Sequence, residues 1–328
     1  MNIYDIAEKC GVSIATVSRV LNNNPNVSAA TRAKIQAVMD EENYSPNAFA
    51  RSLGSGNTRM VGVLCADIRD SHYAGMVSTM EAQLRQRNLP VLLRCSGLSA
   101  EEEKQALEAM VNSKVDAILM VGSAPREDAQ NDPIRQAAKQ VPVILLDSYV
   151  DDKNVHCVTS DQRGVVMDLV AQLMGRQRRR ILFLRDQLTY SCQQKIDGYL
   201  DALAAAGVEP DPSLIVAAGQ QMEDVNNCIK QLLINRVTFD AVIGAEDLLA
   251  LGAQKSLGRT GLNMPIIGFG NSLAGRYATP ELTTVDTAPE ELCAAGIRML
   301  DDLLAGKEVT DHVIIPANLI QRDTFRNT

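Results

Sequence analysis

Two hydrophobic rhythms divide the chain. Over the first 45 residues, apolar positions recur at helical spacing. Ile3, Ile6, Ala7 and Cys10 share one face, Val17, Val20 and Leu21 a second, and Ile35, Val38 and Met39 a third. This predicts three short helices, with Asn2, Ser13 and Ser28 as N-caps. Gly11 sits where a tight turn needs it, and Asn22-Asn23-Asn24-Pro25 breaks the second helix. A short helix, a glycine turn and a second capped helix form the helix-turn-helix pattern.

From Arg59 the rhythm changes. Short apolar runs ("MVGVLCADI", "PVLLRCS", "DAILMVG", "VPVILLDS", "RRILFLRD", "SLIVAAG", "FDAVIGAED" and "PIIGFGN") alternate with helical patterns, for example at 76–88, 101–113, 193–206 and 289–305. Val, Ile and Leu dominate the runs and Gly, Pro or Asp bound them, as expected of buried parallel strands. The repeat predicts an α/β doubly wound architecture. About 270 residues of it exceed one sheet, so two parallel-sheet lobes are expected, with a ligand cleft between them at the strand ends.

Between the two regions lies "SPNAFARSLGSGNT" (45–58). Pro46 and Asn47 can start a short helix that Gly54 and Gly56 stop, and one or two turns are not stable alone. The segment is either a linker or a helix that folds only against a partner.

Composition narrows the function. Of 328 residues, 46% are hydrophobic and 22% charged, as in an ordinary globular protein. The seven cysteines are scattered and never in C-x-x-C spacing, which argues against a disulfide framework or a zinc site and fits a reducing cytoplasm. "MNIYDIAEKC" lacks the apolar core of a signal peptide, and no apolar run approaches membrane-spanning length, so a cytoplasmic protein without a membrane partner is expected. The net charge of −8 disfavours indiscriminate nucleic-acid binding by the whole chain. Through Thr58, five cations (Lys9, Arg19, Arg32, Lys34, Arg51) balance five anions (Asp5, Glu8, Asp40, Glu41, Glu42), so placement matters more than total charge.

Catalysis finds no support. "GFGNSLAG" (268–275) has the wrong glycine spacing for a dinucleotide loop, and there is no Walker loop or G-x-S-x-G elbow. His72, His156 and His312 form no metal motif. "RQRRR" (176–180) reads as a solvated helix-to-strand edge. No cofactor is expected.

An N-terminal helix-turn-helix, a short hinge and a two-lobed α/β body together resemble the lactose-repressor-type family of bacterial transcription regulators over essentially the whole chain. The resemblance rests on "IYDIAEKCGVSIATVSRVLN" (3–22), "VSAATRAKIQAVMDEENYSPNAFARSL" (27–53), "VDAILM" (115–120), "ALGA" (250–253) and "PELTTVD" (280–286). It implies a headpiece at 1–45 and a hinge helix and linker at 46–58. It implies an N-terminal lobe of 59–158 with 289–318 and a C-terminal lobe of 159–288 with 319–328. The body is similar to periplasmic sugar-binding proteins.

By this resemblance the second helix enters the major groove of a palindromic operator. Arg19 pairs with a guanine, Ile14 and Ala15 pack on thymine methyls, and Ser13, Thr16, Ser18, Asn22 and Ser28 anchor phosphates. The hinge, with Asn47, Ala50, Arg51 and Leu53, lies in the minor groove, where Leu53 wedges a base step. The effector residues implied are Asp67, Ser71, His72, Tyr73, Ser123, Asp147, Asp161, Lys195, Gln221, Glu246, Asp247 and Asn271. Four positions depart from the family pattern. Lys195 stands for the usual arginine, Gln221 for an aromatic, Glu246 for an asparagine, and Gly270, beside Asn271, for the sugar-binding aspartate. The effector expected is a sugar or sugar phosphate, leaning to the disaccharide type. No leucine heptad follows Ile320, so a homodimer is expected. The competing readings are a cytosolic ligand-binding protein without a regulatory role and a doubly wound enzyme.

Overall fold

The computed structural model describes residues 2–21, 24–42, 59–97, 99–122, 131–219 and 221–326. Asn22, Asn47, Ala50, Arg51, Leu53 and Ser123 lie outside them. The chain divides into two compact units, Met1–Arg59 and Met60–Thr328.

The first unit holds α1 (Ile3–Lys9), α2 (Ile14–Leu21) and α3 (Ala29–Glu41). Ile6, Ala7, Cys10, Val17, Val20, Ile35 and Met39 form its buried core, drawn from all three helical faces. Gly11 adopts φ +59° between α1 and α2, a conformation that costs other residues strain.

The second unit begins with β1 (Val61–Cys65), α4 (Ser71–Gln86), β2 (Val91–Cys95), α5 (Ala100–Asn112), β3 (Ala117–Val121), α6 (Asp132–Ala138), β4 (Val143–Leu146) and β5 (Val155–Ser160). It continues with α7 (Gln162–Gly175), β6 (Ile181–Arg185), α8 (Tyr190–Ala205), β7 (Ile215–Ala217), α9 (Met222–Ile234), β8 (Ala241–Gly244), α10 (Asp247–Gly258) and β9 (Ile266–Phe269). The last elements are α11 (Leu273–Tyr277), β10 (Thr283–Asp286), α12 (Pro289–Leu304), β11 (His312–Ile315) and β12 (Asn318–Ile320).

Among the described residues these strands form two six-stranded sheets, in the orders β11-β5-β4-β3-β1-β2 and β12-β10-β9-β8-β6-β7. All pairings are parallel except β10 with β12, where Thr284 faces Ile320. The strand membership makes the chain pass between sheets three times, after β5, after β10 and between β11 and β12. The strand and helix positions follow the apolar runs, but β5, β10, β11 and β12 belong to none of the eight runs read from sequence. β10, β11 and β12 are only three or four residues long, β5 breaks its apolar pattern with His, Thr and Ser, and the place of all four is set by pairing with a neighbouring strand.

Both faces of the first sheet are covered. Met76, Met80 and Leu84 of α4 and Leu292 and Leu300 of α12 pack on one side, and Leu107 and Met110 of α5 on the other. In the second lobe α7 and α8 approach so closely that a Cβ at Gly198 would sit 2.3 Å from the Arg163 carbonyl oxygen. The carboxyl ends of both sets of parallel strands carry the loops that line the cleft.

Candidate nucleic-acid interface and ligand cleft

The headpiece holds α2 by its ends. Ser13 Oγ accepts a hydrogen bond from the Thr16 amide at 3.2 Å, and the two hydroxyls lie 2.9 Å apart. Ser28 Oγ caps α3 in the same way, from the Thr31 amide at 3.2 Å. Arg32, counted in the sequence only as a charge, donates to the carbonyls of Val20 (3.3 Å) and Asn24 (2.8 Å), tying the end of α2 and Asn24 to α3. Lys9 pairs with Glu42, and Gln36 donates to Asp40, so two of the acidic side chains closing α3 are engaged within the unit.

With Val17 and Val20 buried, the opposite side of α2 faces solvent. Ile14 is 41% exposed, and Ser13, Ala15 and Arg19 are exposed with it; Thr16 and Ser18 are half-buried. An α-helix is about 10–12 Å wide with its side chains, and the major groove is about 12 Å wide. Ile14, Ala15 and Arg19 therefore form a surface that fits a groove, with one guanidinium donor beside two apolar groups. Each capping serine uses one acceptor lone pair on its helix and retains further hydrogen-bonding capacity.

In the second unit, a cavity of about 480 Å³ opens between the strand ends of the two lobes. Seven of the expected effector residues line it: Asp67, His72, Tyr73, Asp147, Lys195, Gln221 and Glu246. Lys195 projects from α8 with its side chain only 3% exposed. Its Nζ donates to the Ala245 carbonyl at 2.7 Å and to Glu246 Oε1 at 3.2 Å, and lies 4.6 Å from the centre of the Phe269 ring. Burial alone would lower its pKa, but the Glu246 and Asp147 carboxylates outweigh it and hold the ammonium above the ordinary lysine value. Glu246 is raised, chiefly by burial, with Lys195 opposing. Its side chain is 51% exposed to the water of the cleft, which tempers that rise.

Asp147 stands at the end of β4 in the left-handed region, φ +61°. Its Oδ1 accepts from Ser160 Oγ (2.8 Å) and Gln162 Nε2 (2.7 Å), and Gln162 Oε1 accepts from Ser191 Oγ (2.6 Å). This chain of hydrogen bonds crosses from the first lobe to α8 of the second. Asp67 is held below the usual carboxylate range by hydrogen bonds from Arg69, which grips both its oxygens. Burial pushes the Tyr73 phenol upward, so it remains protonated. Five carboxylates (Asp67, Asp70, Asp147, Asp186, Glu246) thus face two cations, Arg69 and Lys195.

The remaining candidates sit elsewhere. Ser71, Asp247 and Asn271 line a neighbouring recess of about 520 Å³. Asn271 also donates to Asp286 (2.9 Å) and accepts from Arg322 (2.5 Å), which engages its amide within the protein. Asp247 is buried: one oxygen accepts from Thr284 Oγ1 (2.6 Å), the other from the Ser272 amide (2.7 Å), tying α10 to the neighbouring strands. Asp161 caps α7 through the Gly164 amide at 2.9 Å. None of these four lines the main cavity. Sequence reasoning missed Asp186, Gln187, Thr189, Ser191, Phe269 and Thr287, which do. The first four lie in "DQLTYS", directly behind β6, where the strand-end rule points.

No group of three or more His, Cys, Asp or Glu side chains among the described residues could hold a metal ion. No helix among them is long and apolar enough to cross a membrane.

A helix-turn-helix unit is followed here by a two-lobed body with a polar cleft, and comparison with known proteins identifies the class. Residues 2–47 match the bacterial regulatory proteins of the lacI family, and residues 58–323 match the periplasmic binding proteins and sugar binding domain of LacI family. The chain belongs to the lacI family, as a transcriptional regulator with a helix-turn-helix DNA-binding unit and a sugar-binding domain. It is 38% identical over 330 residues to an HTH-type transcriptional regulator of Lachnoclostridium phytofermentans, covering 99% of each chain. It is 30% identical to catabolite control protein A of Priestia megaterium, covering 100% of this chain and 99% of the relative. Among solved structures, the lac repressor dimer bound to operator and the anti-inducer ONPF aligns with a TM-score of 0.85 at 24% identity, over 99% of this chain and 98% of that one. A complex of the transcriptional regulator CelR with cellobiose aligns with a TM-score of 0.72 at 25% identity, over 99% and 100%.

Proposed function

We propose that this chain is a dimeric, sugar-responsive repressor of carbohydrate-utilisation genes that works in the cytoplasm on a palindromic operator. The observation that carries the reading is the two-sided α2, with Val17 and Val20 buried and Ile14, Ala15 and Arg19 exposed together. Arg19 donates to guanine O6 and N7, and Ile14 and Ala15 pack on thymine methyls. Ser13, Thr16, Ser18, Asn22 and Ser28 position the phosphates, while Asn47, Ala50, Arg51 and Leu53 enter the minor groove. A headpiece and hinge with no net charge together gain little from long-range attraction, so two copies on a two-fold operator supply what one lacks.

The ligand enters the cleft and contacts both lobes, through Asp67, Tyr73 and Asp147 on one side and Lys195 and Glu246 on the other. It shifts the population between DNA-competent and DNA-incompetent dimers. Support for a sugar comes from the family's sugar-binding domain and from the CelR complex with cellobiose.

The test is fluorescence anisotropy with palindromic duplexes selected from a random pool. The full chain is expected to bind with a steep salt dependence. Arg19→Ala is expected to relax preference at one base pair in each half-site, and Leu53→Ala to weaken binding. Full operator affinity and unchanged preference in both variants would overturn the assignment.

A further inference from the structure

Beside Tyr73 the cleft continues. A second cavity of about 260 Å³ shares Tyr73, Gly122, Gln187 and Thr189 with the first, so the two abut. Its floor is apolar, from Leu64, Met120 and Leu145, and its polar edge carries Ser96 and Glu103. Gly122 opens the passage: at φ +120°, a Cβ there would already touch the Tyr73 ring at 3.5 Å.

Two orphaned polar atoms mark this composite space. Glu103 Oε1 and Thr287 Oγ1 are buried with no hydrogen-bond partner. Glu103 lines the annex, and Thr287, itself buried, lines the main cleft. A buried polar atom left unpaired destabilises the free protein, so its presence at a cavity wall points to a ligand that pairs it. Burial also lifts the Glu103 carboxyl to about 7, and a ligand hydroxyl can meet it in either protonation state.

Charge restricts the ligand further. The cleft's carboxylates outnumber its cations, and both cations are engaged: Lys195 by Ala245 and Glu246, Arg69 by Asp67. A phosphate would meet that excess of negative charge, and each cation already has a carboxylate partner. Hydroxyls, which donate as well as accept, suit a carboxylate-rich wall.

We propose that the ligand is an uncharged two-ring glycan, with one ring between Lys195 and Asp147 within reach of Thr287, and the other in the annex against Glu103. This rests on the sugar reading above and sharpens it: Glu103 selects for length, and the acidic cleft selects against phosphate.

The experiment is calorimetric titration of the full chain with a panel of neutral disaccharides, including cellobiose, maltose, lactose and trehalose, with their monosaccharides, and with glucose 6-phosphate. At least one disaccharide is expected to bind 10-fold or more tightly than its component monosaccharides, and glucose 6-phosphate no more tightly than glucose. Glu103→Ala is expected to erase the disaccharide advantage while leaving monosaccharide affinity within 2-fold and thermal stability unimpaired. Thr287→Val, which keeps the shape of the side chain, is expected to weaken both sizes of ligand together.

A phosphorylated sugar binding more tightly than its parent overturns the proposal. So does an equal loss for both ligand sizes in Glu103→Ala, or no loss at all. In those cases the sugar reading stands, because sugars still bind. Binding by no glycan, with operator binding intact, overturns the sugar reading and this proposal with it.

Discussion

The headpiece and the body solve the same problem, holding a recognition surface still, on different scales. The headpiece has seven buried core residues, and its precision comes from polar fastenings around them: two serine caps, the Arg32 ties and the Lys9–Glu42 pair. The body buries both faces of one sheet under helices and builds a second extensive core in the other lobe. Small units bury proportionately less surface and have little stability to lose. DNA recognition thus rests on a marginal unit and ligand recognition on a robust one, and the two should fail separately.

Ile35→Ala should give the sharpest separation. Ile35 is fully buried in the headpiece core, and truncation of such a residue costs about 2–5 kcal/mol, comparable to the whole stability of a small unit. Operator binding by anisotropy is expected to disappear while sugar affinity by calorimetry stays within about twofold. Loss of both would show that the units do not fold separately.

The converse change lies in the second lobe. Gly198→Ala places a methyl against the Arg163 carbonyl, so α7 and α8 must move apart, at a cost of about 1–3 kcal/mol. Scanning calorimetry should show the body's transition moving down and the headpiece's unmoved. An unchanged body transition would mean that the close helix approach is not needed.

A smaller, pH-dependent effect sits at Glu103. Its carboxyl is raised from 4.5 to about 7 by burial, so the unfolded chain gives up this proton at lower pH than the folded one. Ionising the buried group then costs folding free energy, and its contribution to stability falls as pH climbs from about 4.5 to about 7 and levels off above that. Glu103→Gln lacks the titration, so its stability relative to the parent should rise across the same window. Urea midpoints at pH 4.5, 6 and 8 measure it. A pH-independent difference would mean that the carboxyl is well solvated.

The sequence made the repeat legible because buried parallel strands such as VGVLC and AILMV announce themselves by composition. It hid VHCVTS, TTVD, HVII and NLI, whose position depends on pairing partners far along the chain. The cleft follows the same logic. Asp67, Asp147 and Lys195 could be placed by family position and strand end, whereas Asp161, Asp247 and Asn271 were placed in the same way but turn to a helix end, to Thr284 and Ser272, and to Asp286 and Arg322. Spacing gives a residue's neighbourhood, not the direction of its side chain. Glu103 was the least legible. No motif or spacing singles it out within the 101–113 helical pattern, and only the fold shows that it has a buried, unpaired oxygen.

The smallest effect tests how the headpiece combines stability with recognition. Ser28 Oγ already caps α3, yet Ser28 is also a proposed phosphate anchor. Ser28→Ala removes both roles and should cost about 1 kcal/mol of headpiece stability together with some operator affinity. Ser28→Asp separates them, since aspartate caps a helix as well as serine and its charge suits the positive end of the helix dipole. The same charge repels a phosphate. Chemical denaturation should therefore find the aspartate variant as stable as the parent, while anisotropy finds its operator affinity below that of the alanine variant. If the aspartate variant binds operator as well as the parent, Ser28 is a cap alone, and the phosphates are left to Ser13, Thr16, Ser18 and Asn22.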